Sequence, residues 1–167
     1  RSLEKITNSA TDQVLKIGVK GGLLGKRSIV SDETTNLSAV ALNDMEMCFI
    51  PKSEIMADLK KNPNFTLDVL QKMAGDLRDS EDTLVDMAQK PVKQRIAETL
   101  LYILDNFGTD EDGYLSIVIS REDYASIVGT ATESAIRILS HFKKEGFIST
   151  SGKKIKIEEP KALKWLQ

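Results

Sequence analysis

A single stretch decides the fold of this chain: Ser120-Arg-Glu-Asp-Tyr-Ala-Ser-Ile-Val-Gly129-Thr-Ala-Thr-Glu-Ser-Ala-Ile-Arg137-Ile-Leu-Ser-His-Phe-Lys-Lys-Glu-Gly-Phe-Ile148. Ser120 with Asp123 three residues later forms a capping-box pattern, which opens a first helix. Gly129 supplies the residue without a Cβ that a left-handed turn requires. Thr130, followed by Glu133, predicts that a second helix opens directly after this turn. The stretch therefore predicts two helices joined by a tight turn.

The second helix has two chemically different faces. Its apolar residues recur at the spacing of one helical face, and they are Ala135, Ile138, Leu139 and Phe142. The opposite face carries an acid, bases and short polar groups, namely Glu133, Arg137, Ser140, His141 and Lys144. A helix that lies in a DNA major groove needs such a division. Two other interpretations of Glu133 remain open, a capping box with Thr130 and an i, i+4 salt bridge with Arg137.

The pattern Ser-Arg-Glu-Asp-Tyr-Ala-x-Ile-Val-Gly-x-x-x-Glu-x-x-x-Arg-x-Leu-x-x-Phe resembles the helix-turn-helix of the cyclic-AMP receptor / fumarate–nitrate regulator (Crp/Fnr) family. The resemblance extends, more weakly, over essentially the whole chain. It implies an α+β fold with a partial cyclic-nucleotide-binding-like β-roll at 1–61, a dimerisation helix at 62–90 and a winged helix-turn-helix domain at 91–167. It also implies a dimeric transcription regulator that binds double-stranded DNA at a near-palindromic site.

By the same resemblance, Glu133 and Arg137 read DNA bases. An arginine fork matches O6 and N7 of guanine, and a carboxylate accepts from N4 of cytosine. Thr132 stands where the family has a further base-contacting arginine, which puts the outermost base of the half-site in doubt. Phosphate contacts are expected from residues that are ordinary surface residues one by one but together surround the second helix, and these are Lys93, Arg121, Ser134, Ser151, Gly152 and Lys153.

Residues 1–61 are expected to form strands and turns, with strands at 14–19, 37–42 and 46–50. They resemble the second half of the β-roll, so we expect the first half to precede Arg1 and the chain to be a fragment. Relatives that bind cyclic AMP carry Glu where Lys26 stands and Arg where Leu37 stands. We therefore expect that cyclic AMP is not the ligand. Lys26 and Arg27 could hold another anionic ligand, but we interpret Lys26 as a surface lysine.

A long helix is expected to start at Asn62-Pro63. Its heptad pattern forms two adjacent rows, here called the seam, and they are Leu70, Leu77 and Leu84 in one row and Met73, Ser80 and Met87 in the other. Leu and Met at these spacings are typical of a two-stranded coiled coil, although three heptads could also pack within one chain. The resemblance, in which this helix dimerises, favours the seam. In relatives that bind cyclic AMP, a Thr-Ser pair on this helix touches the base; Ser80 fits the first of these positions and Glu81 departs from the second.

The remaining elements follow a hinge at residues 89–91, after which Pro91 begins an amphipathic helix. The loop 109–113 is acidic, and we expect a solvated hairpin connection. The resemblance places this loop near the surface with which relatives contact RNA polymerase. A strand at 115–119 comes next. After the helix-turn-helix we expect a β-hairpin at 147–157 that turns at Ser151-Gly152, with Lys153 and Lys154 at its tip. The last element is a short helix at 162–166, with Trp165 on the core.

Composition narrows the functional class. The chain has 167 residues and a net charge of −2, yet residues 137–156 hold six bases against one acid. One cysteine and one histidine give no material for a disulfide, a metal site or a nucleophilic triad, so we expect no cofactor and no enzymatic activity. The sequence shows no signal peptide and no apolar run that spans a membrane, so we expect a cytoplasmic protein. The alternative function is a winged-helix protein-interaction module.

Overall fold

The computed structural model describes residues 4–8, 14–18, 22–35, 37–41 and 46–166, and it begins with a small antiparallel sheet followed by helices and a closing hairpin. In chain order the elements are β1 (Glu4–Asn8), β2 (Val14–Gly18), α1 (Lys26–Ser31), β3 (Leu37–Ala41), α2 (Lys52–Lys61), α3 (Pro63–Gln89), α4 (Val92–Phe107), α5 (Arg121–Val128), α6 (Thr132–Lys144), β4 (Ile148–Ser151), β5 (Lys154–Ile157) and α7 (Pro160–Lys164). The last residues of the predicted strands at 14–19 and 37–42 lie outside the described residues.

The N-terminal sheet has the order β2-β1-β3, and both pairs are antiparallel. Ile6 of β1 faces Lys16 of β2 and Ala39 of β3. The strand predictions at 14–19 and 37–42 are thus confirmed for the described residues. The strand predicted at 46–50 is wrong, because this segment pairs with no described strand and leaves Phe49 90% exposed. An extended apolar segment without a neighbouring strand has no ladder of hydrogen bonds to stabilise it.

Two helices lie in the region that we expected to contain only strands and turns. α1 starts after Gly25, whose φ of 76° is left-handed, and α2 starts after Pro51. The prediction of a surface lysine at Lys26 is also wrong. Its ammonium lies 2.5 Å from Asp76 Oδ2 on α3, and its side chain is only 16% exposed. Lys26 therefore links α1 to the long helix.

The long helix α3 confirms the predicted start at Asn62-Pro63. The Asn62 side chain accepts a hydrogen bond from the Phe65 N–H at 3.1 Å, which caps the first turn, and Pro63 takes a position where no N–H is needed. One row of the seam is largely uncovered in the single chain, with exposures of 52% for Leu70, 61% for Leu77 and 67% for Leu84. An apolar row that the chain does not itself cover is unusual for a helix packed within one chain.

The C-terminal half contains the main core. The buried side chains come from α4, α5, α6, the hairpin and α7, and they include Ile96, Leu100, Tyr124, Phe142, Ile148, Ile155 and Leu163. The predicted strand at 115–119 is wrong as a strand: it has one bridge, between Thr109 and Leu115, although Leu115 also donates to the carbonyl of Ile155 at 2.8 Å. The expectation for Trp165 is also wrong, because it is 87% exposed and Leu163 takes the core position.

A compact junction joins α3 to the C-terminal helices at the predicted hinge. Arg95 of α4 donates through Nη1 to the carbonyl of Met87 at 2.6 Å, which satisfies a carbonyl that the end of α3 leaves without a helical partner. Lys90, between the helices, pairs with Asp86 at 3.0 Å and with Glu98 at 2.8 Å. The pKa of Lys90 is raised by its hydrogen bonds to Glu98 and Asp86. Charges and hydrogen bonds thus connect α3 to α4 across the hinge.

The turn between α5 and α6 also contacts α3. Gly129 has a φ of 64°, and a Cβ on it would lie 3.4 Å from both Sδ and Cε of Met87. The backbone conformation therefore favours glycine at this position, whereas the thioether would make an ordinary van der Waals contact with an added Cβ.

We predict that Gly129→Ala destabilises the chain by about 1–2 kcal/mol, because an L-residue is strained at this left-handed φ. Gly75→Ala is the matched control: Gly75 lies inside α3 with nothing within 4 Å of an added Cβ, so this change should stabilise by about 0.5–1 kcal/mol. Urea unfolding followed by circular dichroism measures both. Equal effects of the two changes would show that the turn does not require glycine.

Candidate nucleic-acid interface

α5, the turn at Gly129 and α6 form the helix-turn-helix that the sequence predicts. At the start of α5 the backbone N–H of Asp123 donates to Ser120 Oγ at 3.0 Å, which confirms the predicted cap. At the start of α6 the predicted cap is wrong, because the N-cap residue is Ala131 and it has no side-chain acceptor. Glu133 is therefore not held in a capping box with Thr130. It lies in the first turn of α6, where the helix dipole favours a negative charge.

α6 buries one face and exposes the other, as its residue spacing predicts. Ala135 and Phe142 are fully buried and Leu139 is 3% exposed, whereas Glu133 and Arg137 are exposed one turn apart. The salt bridge between Glu133 and Arg137, one of the alternatives, does not form: within the part of the chain that the structure describes, neither side chain has an ion pair. Both charged groups are therefore available to a partner molecule.

Lys93 and His141 lie together at the edge of this exposed face. Lys93 Nζ on α4 is 3.2 Å from His141 Nε2 on α6, and 6.0 Å from the centre of the Phe142 ring. A lysine ammonium has no lone pair, so the imidazole nitrogen is the acceptor in this contact. Sequence analysis singled out Lys93 as a phosphate contact but gave His141 no role. The two residues are 48 positions apart, and no local sequence pattern indicates that they meet.

Arg121 and Ser134, two other predicted phosphate contacts, lie at the starts of α5 and α6 and are half-buried. The Arg121 atom Nη1 is buried and makes no hydrogen bond, so a phosphate contact by Arg121 would use its other nitrogens. The neighbouring Tyr124 is 1% exposed, and burial raises the pKa of its hydroxyl, so this tyrosine stays neutral. Arg121 is thus half-buried at the start of α5, next to the buried Tyr124.

The predicted β-hairpin is present, and its turn is shifted by one residue. β4 and β5 pair from Ile148 with Ile157 to Ser151 with Lys154, so the turn is formed by Gly152 and Lys153 rather than by Ser151 and Gly152. Gly152 has a φ of 57°, which the turn requires. The exposed Lys153 is at the tip as expected, but Lys154 is a strand residue.

The acidic loop at 109–113 is solvated at Thr109, Glu111 and Asp112, as expected, and it is also bound to the hairpin, because Lys154 pairs with Asp110. The Lys154 ammonium lies 2.8 Å from Asp110 Oδ2, and Asp110 Oδ1 accepts from the backbone N–H of Tyr114 at 2.9 Å. The hydrogen bond from Lys154 holds the pKa of Asp110 below its usual range, and the same contact raises the pKa of Lys154. The charge of Lys154 is compensated, while Lys153 has no ion pair among the described residues.

Over residues 4–8, 14–18, 22–35, 37–41 and 46–166, no group of three or more His, Cys, Asp or Glu side chains could hold a metal ion. No helix in the same ranges is long and apolar enough to cross a membrane.

Comparison with known proteins assigns these elements to a family. Residues 94–166 match the Crp-like helix-turn-helix domain. The chain is 30% identical to the anaerobic regulatory protein of Bacillus subtilis over 148 residues, 87% of this chain and 62% of that protein. It is 27% identical to the fumarate and nitrate reduction regulatory protein of Escherichia coli over 163 residues, 95% of this chain and 64% of that protein. It thus spans less than two thirds of the length of these curated relatives.

A solved structure confirms the fold. A Crp/Fnr-family transcriptional regulator from Thermus thermophilus superposes with a TM-score of 0.78 at 20% identity, over 99% of this chain and 84% of that one. The predicted fold class, a partial cyclic-nucleotide-binding-like domain followed by a long helix and a winged helix-turn-helix, is confirmed by this likeness.

The ion pair between the loop and the hairpin has a measurable consequence. Because the pKa of Asp110 is lowered from 3.8, its pairing contributes stability above that pH and loses it as the pH falls through the lowered value. An NMR titration of the Asp110 carboxyl carbon should give a midpoint below 3.8, and Lys154→Gln should raise that midpoint. Lys153→Gln, at the neighbouring position, should leave it nearly unchanged. Equal shifts in the two variants would show a general charge effect instead of a specific pair.

Proposed function

Since the chain belongs to the Crp/Fnr family of transcription regulators, we propose that it binds double-stranded DNA as a homodimer at a specific, near-palindromic site. The observation that carries this proposal is the pair of free charged side chains on α6. Glu133 and Arg137 are exposed on the same helix whose other face is buried in the core. A helix fixed on one side and chemically active on the other is what major-groove recognition requires.

In this proposal α6 is the recognition helix, and Glu133 and Arg137 read one G·C pair in each half-site. The Arg137 guanidinium would donate to O6 and N7 of guanine, and the Glu133 carboxylate would accept from N4 of cytosine. Two observations support base reading over the capping box and the salt bridge. The N-cap residue of α6 is Ala131 and not Thr130, and no ion pair joins Glu133 to Arg137 within the described residues. Thr132 leaves the preference at the outermost base open.

The phosphate contacts that we propose surround the recognition helix. Ser151, Gly152 and Lys153 lie at the turn of the hairpin, and all three are exposed. Lys93 lies in the first turn of α4, and Arg121 and Ser134 lie at the starts of α5 and α6. Contacts of this kind fix the position of the protein on the duplex without reading its sequence, and they make binding dependent on salt.

The dimer is proposed to form through α3. The seam residues Leu70, Leu77 and Leu84 are all more than half exposed in the single chain, and a second copy of the same helix would cover them. A two-fold axis along this seam would present two recognition helices to successive major grooves, with half-sites about 34–36 Å apart. We accordingly propose three domains: a sensor part at 1–61, the dimerisation helix at 62–90 and the DNA-binding domain at 91–167.

The sensor part is proposed not to use cyclic AMP. Lys26 replaces the glutamate that holds the ribose in relatives of that type, and its side chain already pairs with Asp76 of α3. Leu37 offers no charge to a cyclic phosphate.

We further propose that the protein is a cytoplasmic regulator without enzymatic activity. We also propose that it contacts RNA polymerase through the acidic loop at 109–113, where Glu111 and Asp112 are exposed.

The seam prediction is tested by a charge in its centre. Leu77→Glu should convert the dimer into a monomer, because two carboxylates would meet in an apolar interface. Gln71→Glu adds the same charge on another face of α3 and should leave the dimer intact. Sedimentation velocity at equal concentrations measures both variants. A dimer that persists in the Leu77→Glu variant would contradict the seam.

Base reading is tested by comparing two basic residues. Arg137→Ala should cost about 1–3 kcal/mol per half-site and relax the preference at the G·C pair, whereas Lys153→Ala should weaken binding to all sequences alike and reduce the salt slope by about one. Fluorescence anisotropy with specific and random duplexes at several salt concentrations measures both effects. If Arg137→Ala lowered specific and random binding equally, Arg137 would be a phosphate contact.

A further inference from the structure

We propose that Lys93, oriented by its contact with His141, binds one phosphate of the DNA backbone, and that this contact positions the recognition helix along the groove. The inference rests on the proposed function, and it gives a role to His141, which the sequence pattern places on the exposed face of α6 without assigning it a contact. The site combines two helices, because Lys93 belongs to α4 and His141 to α6.

The geometry shows an oriented lysine. Its Nζ atom is 3.2 Å from His141 Nε2, and it lies 6.0 Å from the ring centre of Phe142, which is fully buried. The Phe142 ring cannot move without disturbing the core, so it provides a fixed wall for the ammonium group. The His141 side chain is 43% exposed, so the same site is open to a ligand.

Lys93 differs from the other described lysines whose ammonium groups contact a side chain in the type of group that it contacts. Those lysines contact carboxylates, and they are Lys26, Lys52, Lys90 and Lys154. Lys93 instead contacts an imidazole nitrogen, which can accept one hydrogen bond and carries no negative charge to compensate the ammonium. Lys93 is therefore oriented but keeps its positive charge and two unused N–H donors. An ordered, uncompensated cation with free donors suits an anionic oxygen such as that of a phosphodiester.

The location connects this contact to base reading. His141 follows Arg137 by four residues on α6, so the proposed phosphate lies about one helical turn, roughly 6 Å, from the proposed base contact. Glu145 also lies near His141, with its Oε1 atom 3.9 Å from Nδ1, on the side away from Lys93. A phosphate held at this point would fix how far α6 slides along the groove. His141 is thus a positioning residue that acts through Lys93.

Single methylphosphonate substitutions in a specific duplex test the proposal, because each removes one backbone charge. In the wild-type chain, one phosphate per half-site should show a loss of about tenfold or more when neutralised, the size expected for one charge-assisted hydrogen bond. In Lys93→Gln, neutralising the same phosphate should cost nothing further, and the salt slope should fall by about one per protomer. Lys60→Gln in α2 is the control and should change neither quantity.

The His141 variants separate a joint site from a lysine acting alone. His141→Ala should reduce the methylphosphonate effect at the same phosphate while leaving the salt slope unchanged, and His141→Gln, which keeps a neutral acceptor, should restore it in part. Thermal unfolding and Lys93→Arg, which keeps the charge, identify losses due to folding alone. An unchanged methylphosphonate profile in either Lys93→Gln or His141→Ala, with Arg137→Ala still relaxing base preference, would overturn this inference and leave the proposed function standing. Absence of any sequence preference in the wild-type chain would overturn the proposed function itself.

Discussion

The burial of one face of α6 against the C-terminal core is the constraint on which the remaining structure depends. Phe142 and Ala135 are fully buried, and Leu139 nearly so, together with residues of α4, α5 and the hairpin. Because these side chains fix the rotation of the helix about its own axis, they also decide that Glu133 and Arg137 face outward. The exposed charged face is thus a consequence of core packing, and loss of a core side chain would disturb the position of Glu133 and Arg137 although neither residue is changed.

A second set of interactions transmits the position of the long helix to this core. Arg95 binds the last turn of α3 through the carbonyl of Met87, and Lys90 joins Asp86 to Glu98 across the hinge. Met87 belongs to the seam in sequence and contacts the Gly129 turn in the structure. In a dimer formed through α3, these directional contacts would therefore couple the position of α3 to that of the helix-turn-helix. Lys26 extends the same connection to α1 through Asp76.

Sequence patterns correctly predicted helix starts and a turn that depend on neighbouring residues, and they missed contacts between residues that are far apart in the chain. The cap at Ser120, the turn glycine and the start of α3 at Asn62 each depend on neighbours within a few positions, and each was predicted correctly. α2 was missed because only Ile55 is buried, which gives a weak apolar period. The pairs of Lys154 with Asp110 and of Lys93 with His141 span 44 and 48 positions, so only the folded chain brings them together. Trp165 was misplaced because α7 ends at Lys164, before this residue, and Leu163 takes the buried position.

Selection of binding sites from a pool of random duplexes tests the central claim, that this chain recognises a specific DNA sequence through α6, most directly. The account predicts enrichment of a near-palindrome whose half-sites lie one helical turn apart, each with a G·C pair at a fixed position. Affinity for the selected site should exceed that for random duplex by at least about 10³ at physiological salt. A pool that retains no common sequence after repeated rounds, with binding that depends only on salt, would contradict the account.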